Sequence, residues 1–251
     1  MPHLLLVIVL LLPISLSAAE STSVPAKPPL IFVYDSYLIE PYVFIHNGHI
    51  TGGIYWELAQ LIGAQLQQPI QFQRSPRRRM EQFLAEGRAH VLLLTNPAWM
   101  TAPEALSWTV RVSREKDVIV QAQGRRFDMH SLDNLLGKRL GTVQGYQYQG
   151  FAEEPYLSLI IRDDAKSIPT NFTRLLRARL DALIAPDIVV GYLFKEQYDP
   201  NAFHVVQTWS MEHDIFSAVS PKSPVSAEQL SDVYRKLHQE RKLEEVFKKY
   251  R

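Results

Sequence analysis

The chain has 251 residues, with 27 Lys and Arg against 26 Asp and Glu, and no cysteine. A net charge this close to zero argues against general nucleic-acid binding, and the missing cysteines exclude a disulfide frame, a thiolate metal site and a cysteine nucleophile. The length suits two modest lobes sharing one chain, with core enough to need no staples.

Leu4 to Leu16 is an apolar run broken by Pro13 and followed by Ser17-Ala18-Ala19, small residues at the positions a signal peptidase reads. The run is short for a bilayer span, and Pro13 would disturb a membrane helix. A signal peptide over residues 1–19, cleaved after Ala19, is expected, which would release the mature protein into the periplasm. Residues 20–28, polar and proline-containing, read as a disordered leader.

Leu30 to Tyr34 is a short β-rich run, closed by Asp35. Asn47-Gly48 signals a hairpin between Tyr42–Ile45 and His49–Thr51. From Ile54 the period changes, and Ile54, Leu58, Leu61, Ile62 and Leu66 line one helix face as far as Pro69. A strand from Ile70 to Phe72 follows. Ser75-Pro76 then starts a helix with serine as its cap, Met80, Phe83 and Leu84 as its buried stripe and Gly87 as its stop. Val91 to Leu94 reads as a covered parallel strand, with Thr95-Asn96 just past it.

A charged stretch from Arg111 to Lys116 reads as a first hinge before a strand at Asp117 to Gln121. Leu132 to Tyr146 then predicts a short helix capped by Ser131, a stop at Gly137, a strand from Arg139 to Val143 and a turn at Gln144-Gly145. It lacks the glycine pattern of a phosphate loop or dinucleotide turn. Beyond it come a strand at Leu157–Ile161, a helix from Ile168 to Ala178, a strand at Asp181–Ile184 with Asp187 past its end, and a helix to about Tyr198. A strand at His204–Val206, a second hinge at Trp209–His213, a strand at Ile215–Val219 and helices from Ser226 and Lys242 close the chain. The alternation predicts an α/β chain of two lobes, each a central, mostly parallel sheet flanked by helices, joined by two hinge crossings. One lobe is expected over residues 29–116 and 214–251, the other over 117–213. Ligands of such sheets sit beyond the carboxyl ends of the strands, so Asp35, Thr95-Asn96, Gln144-Gly145 and Asp187 are expected to converge.

On these positions the chain resembles the family 3 periplasmic solute-binding proteins, the polar amino-acid binders of the type II periplasmic binding-protein fold. The carriers are Pro41-Tyr42, Gly53, Ser75-Pro76-Arg77-Arg78-Arg79, Leu135-Leu136-Gly137-Lys138 before Gly141-Thr142-Val143-Gln144-Gly145, Arg179-Leu180-Asp181-Ala182, Asp187, and Lys242 to Phe247. The resemblance implies that Asp187 receives a ligand ammonium and that Thr95, Gln144 and Tyr146 touch ligand. It departs from the family where an arginine usually clamps the ligand carboxylate: the stretch is Thr101-Ala102-Pro103-Glu104-Ala105, and no Lys or Arg occurs from Ala89 to Val110. Arg77 and Arg79 are the candidate substitutes, Arg79 the favoured one, and Tyr37, Tyr42, Trp56 and Trp99 are candidate cleft walls.

The expected function is capture of a small polar, amino-acid-like molecule by a monomer that serves an ABC permease or a membrane sensor. The competing reading is a periplasmic lyase of dehydratase type on the same fold, with Asp35, Glu57 or Asp187 as acid or base. No cofactor is implied. His46 and His49 have no further ligand at metal-site spacing, and no Gly-x-Ser-x-Gly elbow supports a serine nucleophile.

Overall fold

The computed structural model describes residues 27–251 apart from Tyr37, Gln149 and Ala152, so the expected signal sequence, most of the leader and the Tyr37 ring lie outside the described residues. The first strand, β1 (Leu30–Asp35), leads through the hairpin β2 (Phe44–His46) and β3 (His49–Gly52) into α1 (Ile54–Leu66). Gly53 opens that helix at φ 96°, and a Cβ there would stand 2.5 Å from the carbonyl oxygen of Tyr42, so no side chain fits. Next come β4 (Ile70–Ser75), α2 (Arg77–Glu86) and β5 (Val91–Thr95). Gly87 ends α2 in the left-handed conformation, as expected. Ser75 does not cap α2: it closes β4, and Pro76 takes the cap position without a side-chain bond.

Two short 3₁₀ turns and β6 (Ser107–Trp108) precede β7 (Ser113–Ala122). The second half holds β8 (Arg139–Val143), α3 (Tyr156–Leu159), β9 (Ile161–Ala165), α4 (Ile168–Leu176), β10 (Ala182–Pro186) and α5 (Asp187–Glu196). A 17-residue strand, β11 (Phe203–Val219), returns to the first half, where α6 (Ala227–Gln239) and α7 (Lys242–Lys248) pack. The strand order is β4-β1-β5-β11-β7-β10-β8-β9. Strands β4, β1 and β5 are mutually parallel, as are β10, β8 and β9; β7 and β11 run antiparallel to each other between these two groups.

Two sequence expectations give way here. The polar stretches read as hinges at both crossings are built as strand: Asp117 pairs with Met211, Glu115 with His213 and Ser113 with Ile215. Charge in this ribbon is matched locally, with Arg111 and Arg114 each 3.1 Å from Asp214, so a polar sequence still forms a ladder. The apolar residues Leu157 and Leu159 do not form a strand either. They belong to the single-turn α3 with their side chains exposed, and the strand is the charged run Ile161-Arg162-Asp163-Asp164-Ala165 at the edge of the sheet, where water tolerates polar residues on an unpaired side.

The first lobe is tied through one hydroxyl. Tyr55 on α1 is fully buried, donates to the carbonyl of Val33 on β1 and accepts the N–H of Leu93 on β5 at 3.1 Å. At the end of β5 the register against β11 slips by one residue between Leu92 and Thr95, and Leu94 takes φ 54°. Such a bulge re-aims the chain at a strand end, here at Thr95-Asn96. Replacing Tyr55 by Phe leaves Val33 and Leu93 without their buried partner, and the expected loss is about 1–3 kcal/mol of unfolding free energy. Urea denaturation read by tryptophan fluorescence measures it; a midpoint equal to the parent's would show that the hydroxyl ties nothing.

Candidate ligand-binding site

The carboxyl ends of the parallel strands in the two lobes face one another, and the space between them is a pocket lined on one side by Asp35, Tyr42 and Arg77 and on the other by Tyr146, Pro186 and Val189. Its floor is supplied by β7. Strand alternation puts Glu115 and Asp117, two residues apart on β7, on the same side of it, and both line the pocket. Arg77 is the one cation among the described residues that line it.

The acidic groups are held by specific partners. The Tyr42 hydroxyl donates to the carboxylate of Glu115. Asp117 lies 3.1 Å from Nε2 of the buried His213, whose ring meets Trp99 edge-on at 5.3 Å between centroids. Burial opposes a charge on His213, but the hydrogen bond and charge of Asp117 prevail and raise its pKa. Glu115 is pushed up to about 7, first by burial and then by the charge of Asp117, with Tyr42 and His213 opposing and Asp187 adding to the rise. Burial, and after it the charge of Asp35, raises the phenol of Tyr146, while Arg77 works the other way. One phenol therefore senses both the acidic group from β1 and the cation from α2.

The candidate residues named from the sequence divide by their surroundings. Asp35, Tyr42, Arg77 and Tyr146 line the pocket. Gly145 sits at its outer edge, with φ 80° and an ideal Cβ 3.8 Å from that of Arg77 across the cleft. Asp187 is the half-buried first residue of α5, next to the lining Pro186. Thr95 is buried, and its Oγ1 has no hydrogen-bond partner among the described residues. Asn96 has a framework role: its amide donates to the carbonyl of Asp214 at 2.8 Å and its carbonyl caps the turn at Ala98, also at 2.8 Å. Gln144 is exposed, and Gln147 is the glutamine that lines the pocket. Arg79, favoured from the sequence, is exposed outside it, whereas Arg77 lines it and donates to the Trp99 carbonyl at 3.2 Å. Two residues along a helix subtend roughly 200°, so Arg77 and Arg79 face opposite ways. Of the aromatic candidates Trp99 lines the pocket and Trp56 does not, and Glu57 is held by Lys249 and Tyr250 at 2.5 and 2.6 Å.

Glu115, Asp117, His213 and Tyr148 were not legible as site residues. The available signal was the alternation of Glu115 and Asp117, which carries meaning only once Arg111 to Lys116 is read as strand. Among the described residues no cluster of His, Asp and Glu fits a metal ion, and no helix is long and apolar enough to cross a membrane.

No protein-family model and no curated protein matches the sequence. Solved structures match over most of both chains. The arginine-, lysine-, histidine-binding protein ArtJ from Geobacillus stearothermophilus has 14% identity and a TM-score of 0.71, covering 89% of this chain and 95% of its own. The GluR0 ligand-binding core from Nostoc punctiforme, solved with L-glutamate, has 15% identity and a TM-score of 0.72, covering 88% and 99%. A Salmonella typhimurium periplasmic binding protein of high arginine specificity has 16% identity and a TM-score of 0.69, covering 90% and 99%. The chain thus has the two-lobed type II periplasmic binding-protein fold, and the resemblance drawn from its sequence is met at the level of fold.

The pocket's titrations set a pH dependence. The folded state keeps the Glu115 proton to about pH 7, above its ordinary value of 4.5, so this contribution to stability is full below about 4.5 and lost as pH rises through about 7. His213 has the same sign: its raised pKa gives stability that is full below 6.5 and lost above. The ligand-free protein is expected to melt at a lower temperature at pH 8 than at pH 5.5, and Glu115→Gln to flatten that slope. Thermal scans of both proteins across this range provide the check, and parallel slopes would mean that Glu115 titrates as it does in the unfolded chain.

Proposed function

We propose that the chain is a periplasmic solute-binding protein that captures a small amino-acid-like molecule bearing a positive group in the interlobe cleft, and delivers it to a membrane permease or presents it to a sensor. The observation that carries this reading is the convergence of Asp35, Glu115 and Asp117 on one pocket whose lining holds a single guanidinium, Arg77. Asp35, Asp117 and the nearby Asp187 suit an ammonium or guanidinium, Arg77 suits a carboxylate, and Tyr42, Trp99 and Tyr146 offer faces for the stem and for the cation. The solved proteins named above for arginine, lysine and histidine bind ligands of this charge. Arg77 takes the part of the arginine missing after β5. A ligand group at Thr95 would complete a hydroxyl that is otherwise buried without a partner.

The protein acts as a monomer of two lobes, residues 29–116 with 214–251 and residues 117–213, that close about the crossings in β7 and β11. A cross-lobe bond already exists on one side, where Tyr192 of α5 donates to Glu40 at 3.1 Å. A signal sequence over residues 1–19 fits this role and supplies the address.

Four tests bear on the reading. A thermal-shift panel of amino acids and amines is expected to respond to arginine, lysine or histidine, with about 2.7 kcal/mol of added stability at a hundredfold excess over Kd. A response to glutamate alone would overturn the charge argument. Arg77→Lys keeps the charge and loses the planar fork, so the panel's best ligand should bind more weakly, while Arg79→Lys leaves its affinity unchanged. Asp187→Asn should cost about 1.5–3 kcal/mol of binding for a cationic ligand, the usual range for a charged hydrogen bond. Small-angle scattering should show a smaller radius of gyration under saturating ligand, and an unchanged radius would remove the hinge.

A further inference from the structure

Outside the acidic pocket the cleft widens into a second chamber of about 930 Å³. The two spaces are continuous, because Arg77, Trp99, Tyr146 and Tyr148 line both. Their charges differ in sign. The inner pocket carries Asp35, Glu115 and Asp117; the outer chamber carries Arg77 and Arg78 from α2 and Arg162 from β9.

The acidic residues of the outer chamber are already engaged. Asp164 receives Arg162 at 2.8 Å and the Thr142 hydroxyl at 2.5 Å, and Glu81 accepts the backbone N–H groups of Thr101 and Ala102 at 2.9 and 3.2 Å. Arg162 also donates to the carbonyl of Tyr146 at 2.8 Å. Arg78, by contrast, makes no ion pair among the described residues. The chamber's wall also holds the apolar Phe151, Ile160 and Leu157 and the Tyr156 ring, Leu157 being 61% exposed. A large apolar side chain left open in the same chamber as the unpaired guanidinium of Arg78 marks a surface for a molecule that is partly apolar and ends in an anion.

A free amino acid holds its ammonium and carboxylate on one carbon, so it needs both charges at one place and leaves the outer chamber filled with water. Taking the cleft as a ligand site, as proposed above, we infer that it is built for a longer molecule of dipeptide type. The cationic amino-terminal residue occupies the inner pocket, the second, apolar side chain lies on Leu157 and Phe151, and the terminal carboxylate meets Arg77 and Arg78. A volume of about 930 Å³ beyond the inner pocket accommodates the second residue.

Isothermal titration of the mature protein, freed of endogenous ligand by unfolding and refolding, tests this with arginine, the dipeptide Arg-Leu and the Arg-Leu carboxamide. Arg-Leu should bind about tenfold or more tighter than arginine, as expected for one added charged hydrogen bond, and the carboxamide should lose most of that gain. Arg78→Gln should weaken Arg-Leu and leave arginine unchanged; its exposed position keeps the fold out of question. Arginine binding as tightly as Arg-Leu would overturn the inference and leave the proposed function standing, with the chamber a mere mouth. Failure of all three ligands would overturn the inference, and the lysine and histidine arms of the thermal-shift panel would then decide the proposed function by themselves.

Discussion

The antiparallel pairing of β7 with β11 is the constraint on which the molecule depends. Every strand of the second lobe joins the sheet through β7, and β11 reaches back to pair with β5 in the first. One strand of the same ladder lines the pocket, because alternation turns Glu115 and Asp117 toward it, while pairing sets His213 opposite Glu115. The crossing between the lobes and the lining of the pocket are therefore one piece of backbone. Its hydrogen bonds are made between the two crossing strands, so they do not depend on the angle between the lobes. A ligand that engages Glu115 or Asp117 acts directly on the element that joins them.

Gathering carboxylates in such a place is costly, and the structure shows what offsets it. Isolated charges taken out of water are unfavourable, so buried acids keep a proton or find a donor. Glu115 does both, holding its proton to about pH 7 and accepting from Tyr42. Asp117 has His213, and the aromatic edge of Trp99 closes that pair from the side. What remains is a pocket of negative character with Arg77 at its rim, a field that favours a cation with a negative group farther out. The three arginines in the first turn of α2 oppose the helix dipole, which leaves them disposed to accept an anion or face water. Arg77 and Arg79 divide these two roles by the helical turn alone.

Much of the architecture was legible because it rests on local rules. The change of period at Ile54, the Asn47-Gly48 turn, the glycine stops at Gly87 and Gly137 and the helix start at Ser226 each depend on a few neighbouring residues, and each appears where the pattern places it. Errors arose where local composition and tertiary pairing disagree. The run Ser113-Arg114-Glu115-Lys116 is polar because it crosses between lobes, yet it is strand because β11 lies beside it. Leu157 and Leu159 are apolar yet exposed, since they line or border a cleft and not a core. Asn96 stands just past a strand end, and both ends of its amide bond the framework.

By itself the sequence determined the order of most helices and strands, the two-lobed α/β class and the absence of Lys and Arg between Ala89 and Val110, since these follow from period, turn chemistry and residue identity along the chain. It also set Asp35, Thr95, Gly145 and Asp187 at or just past strand ends. Only the tertiary structure decided which of these reach a common space, that Arg77 and not Arg79 faces it, and that Glu115 and Asp117 line it with His213 behind Asp117. The physical reason is that a site is a set of directions. A helix turns its side chains by roughly 100° per residue and a strand by roughly 180°, so which way a charge points depends on where each element begins and on what it packs against. Those are properties of the folded pairings, above all of β7 with β11, and no stretch of sequence carries them alone.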